Sequence, residues 1–180
     1  MADYADPRLS AGQAENMLAR PVRPLGRRRR IVKVELLYLP CTLFRVNVES
    51  YEKETAEETV CVDALEGTFA FFRQAEFTAQ PCRTGRTIAP DLPPRELSKR
   101  ALNAYRRHLL ALNLHGKRGS QVRGIRFDRE IYYPFWIGYF HRRGALDFDV
   151  LDAVSGARQG AQMRPVFIKA LLRTSKRAPE

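Results

Sequence analysis

The sequence predicts an α+β protein of two tandem helix-plus-antiparallel-hairpin units, with the helices packed on antiparallel sheet. Three observations predict it. The turn "CVDALEG" at 61–67 returns as "VLDAVSG" at 150–156, with aspartate, alanine and glycine in the same register. Leu37-Tyr38-Leu39-Pro40 corresponds to Ile131-Tyr132-Tyr133-Pro134 at an offset of 94, and Val62–Gly67 to Leu151–Gly156 at an offset of 89. The two boxes keep their order, and the difference between the offsets falls in a loop, where insertions are tolerated. Finally, each pair of boxes has a helical pattern ahead of it.

In "LSAGQAENMLARP", Ser10 with Gln13 makes a capping box, and Ala14, Met17 and Leu18 give an apolar face. "IVKVELLY" reads as a strand that Pro40 interrupts, since proline lacks an N–H and fits an edge or a bulge. The strand is expected to bend there and resume as "TLFRVNVE", where Phe44, Val46 and Val48 alternate with Arg45, Asn47 and Glu49. An acidic loop with Glu49, Glu52, Glu54, Glu57 and Glu58 leads to "TVCVD", the turn and "TFAFF". The second helix follows Pro93 and Pro94, which a first turn tolerates. Its residues Leu97, Ala101, Tyr105, Leu109 and Leu112 recur at helical spacing. "IRFDREIYY", "FWIGYF" and "ALDFDVL" are the second set of strands, with "HRRG" at 141–144 as a tight hairpin. Asp63 and Asp152 are placed to accept from N–H groups of their own turns, and Gly67 and Gly156 to supply positive φ. The first unit is expected at 1–80, with a basic lead-in. The second is expected at 81–180, with a C-terminal extension.

Composition narrows the class. With 180 residues, 44% hydrophobic and 10% aromatic, the chain is globular rather than disordered. Its N-terminal stretch lacks the apolar core of a signal peptide, and "YYPFWIGYF" is too short to span a bilayer, so no membrane insertion is expected. Cys41, Cys61 and Cys82 have no CxxC spacing, which fits a reducing cytoplasm. The net charge of +11 favours anionic partners, but the arginines are scattered and mixed with the acidic loop.

The Ser10-capped helix with "GQAENML", the strands through "FRVNV" and the turn "CVDALEG" resemble the PepSY domain. The second helix with "VLDAVSG" does so more loosely. The resemblance implies a helix on a small antiparallel sheet, in a family of protease-inhibitory propeptide modules and ligand-sensing modules that are mostly extracytoplasmic or membrane-linked. This chain departs in having no signal or membrane-spanning segment and in its Tyr-x-Pro box. No functional residue carries over.

The candidate site residues are few. Tyr133, Phe135, Trp136 and Tyr139 lie in the densest aromatic cluster and are candidates for a ligand or partner surface. They fit a pocket wall, a base-stacking platform or a dimer face, or else pack under the helices. Arg27, Arg28, Arg29 and Arg30 are the candidate anion-binding run, or else a charged lead-in that protects an edge strand. His108, His115 and His141 lack carboxylate or cysteine partners at ligand spacing, so no metal is expected. Cys82 sits beside Arg83 and Arg86 without a base, and no GxGxxG or P-loop spacing occurs, so neither a cofactor nor an enzyme is expected. The function expected is a cytoplasmic binding or regulatory module. It contacts protein or a small ligand through its sheet face, and a homodimer is an open possibility. The alternative is a nucleic-acid-binding protein that uses the arginine run and the aromatic box.

Overall fold

The computed structural model describes residues 3–21, 28–50, 53–72, 75–82, 84–114 and 119–175. In chain order the elements are β1 (Asp3–Ala5), α1 (Ala11–Ala19), β2 (Ile31–Ser50), β3 (Thr55–Asp63), β4 (Phe69–Phe71), β5 (Phe77–Thr78) and β6 (Gly85–Thr87). They continue with α2 (Pro94–Leu114), β7 (Ser120–Arg142), β8 (Ala145–Asp152) and α3 (Arg164–Ser175). The strands join in one mixed sheet. β2 and β7 form its antiparallel spine, paired from Ile31 with Phe140 to Ser50 with Ser120. β3 and β6 line the outer edge of β2, and β8 and β1 line that of β7.

An all-antiparallel sheet was the expectation, and two short pairs depart from it. β1 runs parallel to β7 and β6 runs parallel to β2. Each is the last extended stretch before a helix, and that helix leads into the spine strand antiparallel to it, α1 from β1 into β2 and α2 from β6 into β7.

The spine is symmetric about one pair. Leu39 faces Tyr133, and to either side Leu37 faces Phe135 while Cys41 faces Ile131. The two prolines flank this centre, with Pro40 opposite Tyr132 and Pro134 opposite Tyr38. Neither breaks its strand, contrary to the expected interruption at Pro40. The N–H and C=O of a strand residue point the same way, and the carbonyl of Pro40 accepts from Ala64 at 2.8 Å. The missing N–H therefore lies on the side of β2 away from β7, and the spine ladder loses no bond. Pro134 repeats this, accepting from Ala153 at 3.1 Å in the gap between β8 and β1.

The two turns close alike. Gly67 N donates to Asp63 O at 3.0 Å, and Gly156 N to Asp152 O at 2.9 Å. Both glycines have positive φ, 75° and 74°, the left-handed region where a Cβ is costly. The Asp63 carboxylate accepts from Leu65, Glu66 and Thr68, and that of Asp152 from Val154 and Ser155.

Both faces of the spine are covered, which is why its apolar residues run almost unbroken. On one face Leu36, Tyr38 and Trp136 lie under α1, and Phe44, Val46 and Val48 lie under α2. The α1 cluster takes Leu151 and Ala153 from β8 and its turn, and the α2 cluster takes Val60 and Val62 from β3. Each helix thus covers strands from the other half of the sequence, and the two halves interleave in one sheet. On the opposite face Leu37, Leu39, Tyr133, Phe135 and Ile137 pack against Val166, Phe167 and Ala170 of α3. α3 stands where only a C-terminal extension was expected. The acidic loop is also shorter than expected, because Glu49 belongs to β2 and Glu57 and Glu58 to β3, while Glu52 lies outside the described residues. Glu57 pairs with Arg45 and Arg126, which hold its carboxyl below the usual range.

Candidate functional site

The helix-covered face places two residues symmetrically about the Leu39–Tyr133 pair. Trp136 stands opposite Leu36 on one side, and Thr42 stands opposite Glu130 on the other. Their surroundings correspond closely. Arg8 N and Leu9 N both donate to Ala153 O at 3.0 Å. In the other half Asp91 N and Leu92 N donate to Ala64 O, at 2.8 and 2.9 Å. Leu9 leads into α1 and Leu92 into α2.

The contents of the two places differ. The Trp136 indole is 6% exposed, packs with Ala14, Leu18 and Leu151, and donates its Nε1–H to Leu9 O at 2.9 Å. Thr42 fills much less space, and a cavity of about 280 Å³ opens beside it. That volume lies close to the lower end of small-ligand sites. Ala64, Leu97, Ile131 and Tyr132 line it, and the segment 90–94 with its three prolines forms the roof. Such a roof has little backbone freedom to lose on binding.

The polar groups at this cavity are few. Thr42 is only 2% exposed, yet its hydroxyl makes no hydrogen bond to a described residue. Fully buried unpartnered side-chain polar atoms are absent among the described residues, so this oxygen opens onto the cavity. The Leu92 carbonyl accepts no hydrogen bond from the described residues either. At the rim, Glu130 is exposed and forms no ion pair with them. Asp91 is engaged by Lys169 at 3.1 Å and by Arg173. Burial works to raise its carboxyl, but those two cations hold it below its ordinary value. Burial pushes the Tyr132 phenol up, so it stays a neutral wall. Glu130 is therefore the carboxylate at the mouth that no described cation neutralises.

A second depression, of about 890 Å³, lies between α2 and β4. Arg100, Arg107, His108 and Phe71 line it, and Phe71 is 45% exposed with its ring 4.7 Å from that of His108. Arg100 is already committed to Glu96 and to the Glu66 carbonyl, both at 2.6 Å.

The expected aromatic surface is mostly core. Tyr133 and Phe135 pack under α3 and Trp136 under α1, because alternate residues of a strand covered on both faces all point into packing. This burial withdraws all three from any exposed stacking platform. Tyr139 is half-buried and donates to Glu35 at 3.0 Å, and burial with that carboxylate pushes its phenol up. The arginine run is divided. Arg27 lies outside the described residues. Arg28 donates to Asn16 at 3.1 Å, and Arg29 pairs with Asp149 and covers the Phe140 ring at 4.5 Å. Arg30 is exposed. Arg158 shares Asp149 and donates to the carbonyls of Met17, Leu18 and Arg20, capping the end of α1. Arg28 and Arg29 therefore fasten the lead-in to α1 and β8.

The remaining chemistry is sparse. No group of three or more His, Cys, Asp or Glu side chains that could hold a metal occurs among the described residues. His108 lies against Phe71, His141 is exposed, and His115 lies outside the described residues. The Cys61 thiol beside it and burial push the Cys41 thiol up, away from nucleophilic character. Cys82 is exposed. Sequence reasoning missed Thr42, Leu92 and Glu130 as site residues. The available signal was the mismatch of Thr42 with Trp136 at the same offset of 94 that aligns the prolines. No helix among the described residues is long and apolar enough to cross a membrane. Comparison with protein-family models, with curated proteins and with solved structures finds no match for this chain.

Proposed function

We propose that this protein is a binding module rather than an enzyme, and that it accepts a small, largely apolar ligand in the cavity over Thr42. The single observation that carries this is a hydroxyl in a 2% exposed residue, without a partner among the described residues, at the wall of an apolar, proline-roofed cavity. A polar group in that position costs stability unless something pairs with it, and a ligand is the natural partner. The three free thiols are in keeping with a reducing compartment such as the cytoplasm.

We also read the chain as two related units of helix and hairpin, in keeping with the PepSY likeness of its turns. Beyond the two sequence boxes, support comes from a third at an offset of 83, where Pro7 and Leu9 correspond to Pro90 and Leu92. The twin hydrogen bonds to Ala153 and Ala64 support it as well. In such a pair, one unit keeps an internal tryptophan where the other leaves a vacancy.

The test is saturation-transfer NMR with a panel of small neutral fragments, on the wild type and on Thr42→Trp. Hits on the wild type that the variant loses support the site. Hits that survive the substitution place binding elsewhere, and an absence of hits contradicts the proposal.

A second function has its own support in the α2–β4 depression, where Arg107, His108 and a half-exposed Phe71 meet. A single-stranded nucleic acid stacks on such a ring and pairs with the Arg107 guanidinium. Micromolar oligonucleotide binding that persists at physiological salt and weakens in Arg107→Ala would favour it over the small-ligand site.

A further inference from the structure

We infer that the occupant of the Thr42 cavity is a planar bicyclic aromatic of indole size that carries an N–H donor and is neutral or cationic. This rests on the small-ligand function proposed above and names its ligand class.

The protein supplies the template itself. About the Leu39–Tyr133 pair, Thr42 is the counterpart of Trp136, Ala64 of Ala153 and Leu92 of Leu9. The space that is empty on one side holds an indole on the other, and there the ring N–H donates to the Leu9 carbonyl at 2.9 Å. Leu92 lines the empty side, and its carbonyl, the counterpart of that of Leu9, has no donor among the described residues. A free indole-like ring in the same pose satisfies it and covers the Thr42 hydroxyl. Tyr132 offers an aromatic wall, a contact that favours rings over aliphatic chains of equal area.

Charge selects further. Where Leu36 faces Trp136, its counterpart at the empty site is Glu130, exposed at the rim and without an ion pair to described residues. An anionic substituent is repelled there and an ammonium is attracted.

The experiment is isothermal titration of the full chain with four probes: indole, 1-methylindole, tryptamine and indole-3-acetate. Indole is expected to bind saturably at one site. The methylated ring cannot donate, and it is expected to bind about three- to tenfold more weakly. Tryptamine is expected to bind more tightly than indole-3-acetate, with the difference narrowed in Glu130→Gln. Thr42→Trp is expected to lose indole binding and to melt at a higher temperature, because its own ring fills the space. Thr42→Leu serves as a second blocking variant should the tryptophan not be accommodated. Equal binding of indole and 1-methylindole overturns the donor assignment. Tighter binding of N-acetyltryptophanamide than of indole overturns a free ligand in favour of a protein side chain. If other apolar fragments bind over Thr42 and none of the indoles do, the ligand class is wrong while the site stands. If nothing binds there, both fail.

Discussion

Removing the Trp136 ring makes the filled half of the molecule resemble the empty half, and the cost can be worked from its packing. The side chain is 6% exposed, packs with Ala14, Leu18, Leu36, Leu151 and Ala153, and donates to Leu9 O. Trp136→Ala therefore deletes a buried aromatic and leaves both a cavity and an orphaned carbonyl. Substitutions of this kind cost about 3–5 kcal/mol. For a chain of this length, about 4 kcal/mol lowers the melting temperature by roughly 8–16 °C. Urea unfolding followed by far-UV circular dichroism gives the stability difference directly, and a thermal scan gives the shift. Added indole should then restore part of the lost stability, because it re-enters a space shaped for it and stabilises the folded state by mass action. A loss below about 1.5 kcal/mol would mean that the ring does not carry the packing described here. A full loss without rescue by indole would show that the emptied space collapses, and the vacancy over Thr42 would then be a poor template for a ligand.

Two further outcomes follow from the turns and the rim. Asp63→Ala leaves three N–H donors of a buried turn without their carboxylate, a loss of about 3 kcal/mol in urea unfolding once partial rescue by water is allowed for. A loss under about 1 kcal/mol would show that the turn does not depend on it. Asp91 has a carboxyl held below its ordinary value of 3.8, so its contribution is complete above that pH and is lost as pH falls through the lower folded value. The gap in melting temperature between wild type and Asp91→Asn should therefore close only as pH falls below 3.8, and a gap that stays constant into strong acid would contradict the pairing with Lys169 and Arg173.

Local features were legible in the sequence. The Ser10 capping box forms with both hydrogen bonds, α2 presents Leu97, Ala101, Tyr105 and Leu109 to the sheet, and the Asp63 and Asp152 turns match. Each depends on residues within a few positions of one another. What was not legible depends on distant partners. α3 has no acidic first turn, and only packing against Phe135 distinguishes Phe167 from a residue of an irregular tail. β1 and β6 are too short to show a period, and their parallel partners lie far away in the sequence, Ile131 and Tyr132 for β1 and Leu36–Tyr38 for β6. The aromatic box looked like a surface because a spine strand covered on both faces has no polar alternation to mark its inside. The cavity was hidden for a different reason. The sequence shows Thr42 at the offset of Trp136, but a missing ring becomes a vacancy only when the surrounding roof and walls keep their places.

The most direct test of the central claim is amide chemical-shift mapping of the wild-type protein during titration with indole. The largest saturable shifts are expected at Thr42, Ala64, Leu92, Leu97 and Tyr132, while the Trp136 indole N–H stays bonded to Leu9 and moves little. Shifts centred instead on Arg107, His108 and Phe71, or no saturable shift at all, would contradict a ligand site over Thr42.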